Sequence, residues 1–153
     1  MLSVSHAATG ALIATKVGNP LLAVPLILAS HYAEDAVAHW DVGTGLSKGL
    51  KSPATAFRGE IVDLVLAGII VLVMFPLPLR STVYNLQSLA PIWGAFFGLL
   101  PDFLEAPRNF LRCEPRWLKP INAFHARFHH SIPRVAAGLA PQILLLGLIW
   151  FLR

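Results

Sequence analysis

Residues 30–41 read SHYAEDAVAHWD and close an otherwise apolar run, NPLLAVPLILA, at residues 19–29. Two His and three acids in so short a stretch stand out in a chain that is 56% hydrophobic and only 13% charged. Successive residues of an α-helix turn by ~100°, so His31, Asp35 and His39 fall within ~80° of one another on one polar stripe. The spacing predicts a helix that continues to about Trp40, with Asp41 turned back from the loop by Gly43 and Gly45. On such a helix His31 lies ~12 Å deeper than His39 at a rise of ~1.5 Å per residue.

Composition sets the solvent around that stripe. A length of 153 residues suits a single domain over residues 1–153, and a mean hydropathy of +0.64 is high for a water-soluble chain. The runs at residues 61–77 and 137–152 are almost free of ionised groups, Asp63 apart, and each approaches the ~20 residues that span a bilayer. Shorter apolar runs at 20–33 and 88–100 end in acids or His. The run at 6–17 stops at Gly18-Asn19-Pro20 and reads as the arm of a helical hairpin. No Lys or Arg precedes that run and His6 interrupts it, so it does not read as a cleaved signal peptide.

The expected fold is therefore all-α: an integral membrane helical bundle of about four to five embedded helices, plus an amphipathic interfacial helix over residues 116–130. Trp117, Leu118, Ile121, Phe124 and Phe128 repeat at helical spacing and are expected to form the buried face of that interfacial helix. Lone Cys113 excludes an internal disulfide and reads as a loop cysteine.

Cations set the orientation. Lys48, Lys51 and Arg58 fall between the second and third runs, and Arg108, Arg112, Arg116, Lys119, Arg127 and Arg134 between the fourth and fifth. The loop over residues 78–86 has only Arg80. The positive-inside rule makes the two richer loops cytoplasmic. The net charge of +4 then reflects topology and contact with anionic headgroups rather than nucleic acid, which is not an expected partner.

With that topology every His and nearly every acid reaches one membrane face. The six His fall in three places: His6, the pair His31 and His39, and the group His125, His129 and His130. Glu34, Asp35 and Asp41 accompany the stripe, Asp102 and Glu105 lie in GLLPDFLEAP, and Glu60 and Asp63 in RGEIVD. Glu60 reads as a solvated first-turn acid or a partner of Arg58, and Asp63 is open between a structural role and a ligand role. Imidazoles and carboxylates together suit a divalent ion, zinc first, with manganese or iron as alternatives. The number of donors allows one or two ions. His125 and His129, four apart, would chelate from one helical face.

The stretch LLPDFLEAPRNFLRCEPRWLKPINAFHARFHHSI, residues 99–132, resembles the core of small bacterial inner-membrane proteins described as membrane-bound metal-dependent hydrolases. In those proteins Leu-Pro-Asp-x-Asp precedes a basic amphipathic segment and then His-Arg-Gly-x-Thr-His-Ser. The resemblance puts Asp102, His125, His130 and Ser131 on motif positions. SHAATGALIA is similar to that family's N-terminal His and Gly-rich helix, which maps to His6, and His31-x-x-x-Asp35 is similar to its His-x-x-x-Asp helix. The chain departs from the motif at Leu104, Arg127 and His129, and its His-x-x-x-Asp precedes Leu-Pro-Asp instead of following the His box. Glu105, Asp41 and His129 are the candidates to replace what is missing.

The resemblance favours His125 with His130, so the expected metal ligands are His6, His31, Asp35, Asp102, His125 and His130. The expected acid–base groups are His39, Asp41 and His129, with His129 open between ligand and proton shuttle. The expected function is a membrane-bound metal-dependent hydrolase acting on a phosphoester or ester of an anionic lipid, at the cytoplasmic face of a bacterial inner membrane. Two other classes stand beside it. A non-enzymatic divalent-ion transporter or sensor would need polar residues toward the far face, where Gln142 is the exception in apolar spans. A structural protein with a helix-gluing polar stripe would bind no metal.

Overall fold

The Gly18-Asn19-Pro20 break forms a tight helical corner. The protein is described by a computed structural model at residues 1–77 and 85–153. Among these residues six helices follow in order: α1 (Ser3–Val17), α2 (Pro20–Asp35), α3 (Pro53–Met74), α4 (Ala90–Leu111), α5 (Lys119–His125) and α6 (Val135–Leu152). Gly18 adopts φ 71°, which favours a residue without Cβ, and its N–H donates to the Ala14 carbonyl at 2.9 Å. Asn19 then accepts from the Leu21 N–H at 3.0 Å, and Pro20 starts α2 where no N–H is needed. Ser52 and Pro53 repeat this start at α3, where the Ser52 hydroxyl accepts from the Thr55 N–H at 3.1 Å.

α1 is the central helix, buried from Ser3 through Ala11 and packed against α2, α3, α4 and α6. Much of its buried apolar surface is alanine (Ala7, Ala8, Ala11, Ala14), facing Ala23, Ala67 and Ala90 on the neighbours. Against α4 the approach is backbone to backbone. A Cβ at Gly98 would lie 2.3 Å from the His6 carbonyl oxygen, and one at Gly10 2.2 Å from that of Gly94. The Gly94-x-x-x-Gly98 spacing puts both contacts on one face of α4.

The expectation of four to five embedded helices is overturned. Among the described residues one helix, α6 (Val135–Leu152), is long and apolar enough to cross a membrane. α1 and α2 have 15 and 16 residues, so they rise roughly 22 to 24 Å against a hydrocarbon core of about 30 Å. α3 carries Arg58, Glu60 and Asp63 in its first half, and α4 carries Asp102, Glu105 and Arg108 in its second. The outward faces are nevertheless apolar at Leu21, Leu22, Val62, Val65, Ile69, Leu144 and Phe151. The expected loop bearing Arg80 lies largely outside the described residues.

Two local expectations also change. α2 ends at Asp35 rather than near Trp40, and the chain runs on in extended form beside residues 130–132. There the His39 N–H donates to the His130 carbonyl at 3.1 Å, and the Ile132 N–H to that of His39 at 2.7 Å. The interfacial helix shrinks to the seven residues of α5. Its inward face is Leu118, Asn122 and His125, at the i, i+4 and i+7 positions of one helical face, while Trp117 and Phe124 point outward.

Candidate metal centre

His31 occupies the last turn but one of α2, and its ring is fully buried beside α4. Pro101 has no N–H for the Phe97 carbonyl, which opens this turn of α4. One residue on, the Gly98 carbonyl accepts from His31 Nδ1 at 2.8 Å. With Nδ1 as donor, His31 Nε2 carries a lone pair directed at the cluster. His39 is fixed in the same way, its Nδ1 donating to the Val37 carbonyl at 2.8 Å.

Around His31 Nε2 stand His125 Nε2 at 3.3 Å, Asp35 Oδ2 at 3.5 Å and Asp102 Oδ1 at 3.7 Å. His125 Nε2 lies 2.8 Å from Asp35 Oδ2 and 3.8 Å from Asp102 Oδ1. A tetrahedral ion with bonds of 2.0–2.1 Å has ligand–ligand edges of about 3.3–3.4 Å, so these four donors stand close to a tetrahedral set. Behind His125, Glu105 Oε2 is 3.3 Å from Nδ1, and Glu105 is itself paired with Arg108.

A second group shares Asp35. His39 Nε2 lies 3.8 Å from Asp35 Oδ1, 3.3 Å from His129 Nε2 and 3.2 Å from Asp41 Oδ2, which is in turn 3.3 Å from His129 Nε2. Asp41 is buried, yet its Oδ2 is aligned with neither ring for a hydrogen bond. Burial pushes the Asp41 carboxyl up, but the His129 and His39 rings more than offset this and hold it well below the usual carboxylate range. Among the described residues the groups of His31, Asp35, Asp102 and His125, and of Asp35, His39 and His129, could each hold a metal ion.

The remaining candidates fall around this centre. His6 stacks on His31 at a ring separation of 3.9 Å, with Nε2 3.2 Å from Asp35 Oδ1 and Nδ1 2.8 Å from Glu34 Oε2. The Met1 ammonium pairs with Asp35 Oδ1 and lies 3.0 Å from His6 Nε2. The His130 ring is exposed and hydrogen-bonds through Nδ1 to the Phe128 carbonyl at 2.7 Å. Its main chain nevertheless braces the site, the N–H donating to the Asp35 carbonyl at 3.0 Å. Glu60 and Asp63 hold the start of α1, accepting from the Ser3 hydroxyl at 2.6 Å and the Ser3 N–H at 2.7 Å. Burial pushes the Glu60 carboxyl up to about 7.

Sequence reasoning missed two supporting groups. The Gly98 carbonyl was signalled only by the Gly94-x-x-x-Gly98 spacing. Gln142, the one polar side chain on the buried stripe of α6, accepts from the Leu2 N–H at 2.7 Å and donates to the Trp40 and Gly138 carbonyls at 2.7 and 2.8 Å. It thereby ties α6 to α1 and to the extended segment carrying His39.

The centre opens at Asp102 and His129. Asp102, 28% exposed, and His129, 33% exposed, border a cavity of about 1080 Å³. Lys51, Arg108 and Arg112 supply cations to its wall, and Leu46, Phe57, Leu64 and Phe103 supply apolar surface. Comparison with models of known families, with curated proteins and with solved structures finds no match to any of them.

Proposed function

We propose that the protein is a membrane-associated, metal-dependent hydrolase acting on a phosphoester of an anionic lipid, with zinc as its ion at His31, Asp35, Asp102 and His125. The carrying observation is the His31 imidazole. Its Nδ1 donates to Gly98, leaving Nε2 as an acceptor at tetrahedral-edge distances from His125, Asp35 and Asp102. When bound, a divalent ion supplies Lewis acidity, acidifying water and withdrawing charge from a phosphoryl oxygen. The chain's own residues do the rest. Asp102 presents the open edge of the centre to the cavity, and Arg108 and Arg112 offer planar donors for an anionic headgroup. Phe57, Leu64 and Phe103 suit the first carbons of an acyl chain. The motif resemblance over residues 99–132 supports hydrolysis over simple storage, and the cavity beside Asp102 and His129 has room for a substrate at the centre.

Membrane residence is part of this proposal and rests on α6, whose apolar window is only 17% buried. The test joins metal content to activity. Elemental mass spectrometry of the purified chain should find zinc or a related divalent ion, lost in an Asp102→Asn variant. Vesicles of phosphatidylglycerol should be hydrolysed by the parent, stop on chelation and resume on readdition of the metal. A metal-loaded, folded parent that leaves anionic and zwitterionic phospholipids intact would overturn the hydrolase reading.

A further inference from the structure

We infer that His39, Asp41 and His129 are ligands of a second divalent ion, and that Asp35 bridges it to the first. The inference deepens the proposed function and rests on its metal site; it makes ligands of His39 and Asp41, expected among the acid–base groups, and of His129, left open between ligand and proton shuttle.

Four observations carry it. Asp35 is fully buried between the two groups and turns different oxygens to them, Oδ2 toward His31 and His125, and Oδ1 toward His39; the Met1 ammonium pairs with this Oδ1, and a second ion would take its place there. His39 is fully buried, and its Nδ1 is committed to the Val37 carbonyl, so Nε2 enters the group as a lone pair. Asp41 Oδ2 is buried without a hydrogen-bond partner although two ring nitrogens lie within 3.3 Å, a placement that leaves a buried oxygen costly unless a cation meets it. The edges His39–His129, His39–Asp41 and His129–Asp41, at 3.3, 3.2 and 3.3 Å, match the ~3.3 Å edges of a tetrahedral ion. Two imidazoles and two carboxylate oxygens form a borderline-soft donor set suited to zinc.

The carboxylate bridge is what makes this one centre rather than two sites. A single buried side chain serves both ions, so removing it should disturb both. The backbone explains the arrangement, because ending α2 at Asp35 frees residues 36–41 to fold back beside residues 130–132 and bring His39 and Asp41 to the carboxylate from the far side.

The experiment is zinc and manganese stoichiometry on the full-length chain with variants of each group. The parent should bind two equivalents of zinc, while His129→Ala and His39→Gln should each bind one. Asp35→Asn should lose at least tenfold in affinity at both. Because His39 is buried, His129→Ala at its partly exposed position guards against misfolding, and circular dichroism checks both. Manganese-loaded parent should give the electron paramagnetic resonance spectrum of a coupled pair, and His129→Ala the six-line signal of an isolated ion. A parent that binds one equivalent, unchanged in His129→Ala and with an uncoupled manganese signal, overturns the bridged centre and leaves the proposed function standing. A folded parent that binds none overturns both.

Discussion

The Gly98 carbonyl and His31 Nδ1 meet at 2.8 Å, and the same glycine lies so close to the His6 backbone that a Cβ there would fall 2.3 Å from the His6 oxygen. One residue thus sets both a helix crossing and an imidazole tautomer. Gly98→Ala should force α1 and α4 apart and cost about 1–3 kcal/mol. It should also weaken metal binding by about 10- to 100-fold through the loosened His31. Thermal unfolding in chelator isolates the first effect and zinc titration the second. Unchanged zinc affinity would refute the coupling.

Glu105 Oε2 lies 3.3 Å from His125 Nδ1 without the hydrogen-bond alignment that Gly98 gives His31, and its charge still favours the ring, so Glu105→Gln should lower metal affinity by up to about tenfold while leaving the helices in place. Arg108→Ala removes the partner of Glu105 and separates the two explanations. If Arg108→Ala alone reproduces the loss, the ion pair rather than the carboxylate at His125 Nδ1 is responsible.

Gln142→Leu should destabilise the chain by about 1–3 kcal/mol, because the Leu2 N–H and Trp40 carbonyl lose their buried partner. Leu144→Ala, at an outward position of the same helix, should stay within about 0.5 kcal/mol in thermal unfolding of the detergent-purified protein. Equal effects would show that α6 is held by apolar contact and not by Gln142.

Burial raises the Glu60 carboxyl from 4.5 to about 7, against the opposing hydrogen bond from Ser3. The folded chain therefore binds this proton more tightly than the unfolded one. Its contribution to stability is complete below pH 4.5 and declines as pH rises toward 7. Glu60→Gln should remove that part of the slope, leaving the variant about 1–3 kcal/mol better placed relative to the parent at pH 7.5 than at pH 4.5. Melting temperature against pH, measured on both proteins, checks the sign.

His31 and Asp35 were legible together because both fall inside α2, where a four-residue step is a geometric fact. His39 was placed on the same stripe by that reasoning and reaches the same carboxylate by another route. Ala36, Val37 and Ala38 carry no breaker, and what ends the helix is the long-range pairing of the Asp35 carbonyl with the His130 N–H. Periodicity carries no signal for such a partner. The expectation of four to five embedded helices failed where composition was averaged over runs, since the acids of α3 and α4 stand within those helices and face the centre and the start of α1. The glycines of α4 were visible, but the carbonyl one of them exposes belongs to the backbone, which a side-chain inventory leaves out.

The facing rings of the centre are far apart along the chain. His31 meets His125 across 94 residues, and His39 meets His129 across 90. Closing such loops carries an entropy cost that must be met before the contacts return anything, so the centre belongs to the late stage of folding. During synthesis α1 and α2 emerge with His6, His31 and Asp35 exposed long before His125 exists to meet them. On the proposed function, metal loading would thereby wait for the segment carrying His125 and His129, and a molecule unfinished or nicked before it would announce itself by failing to retain an ion.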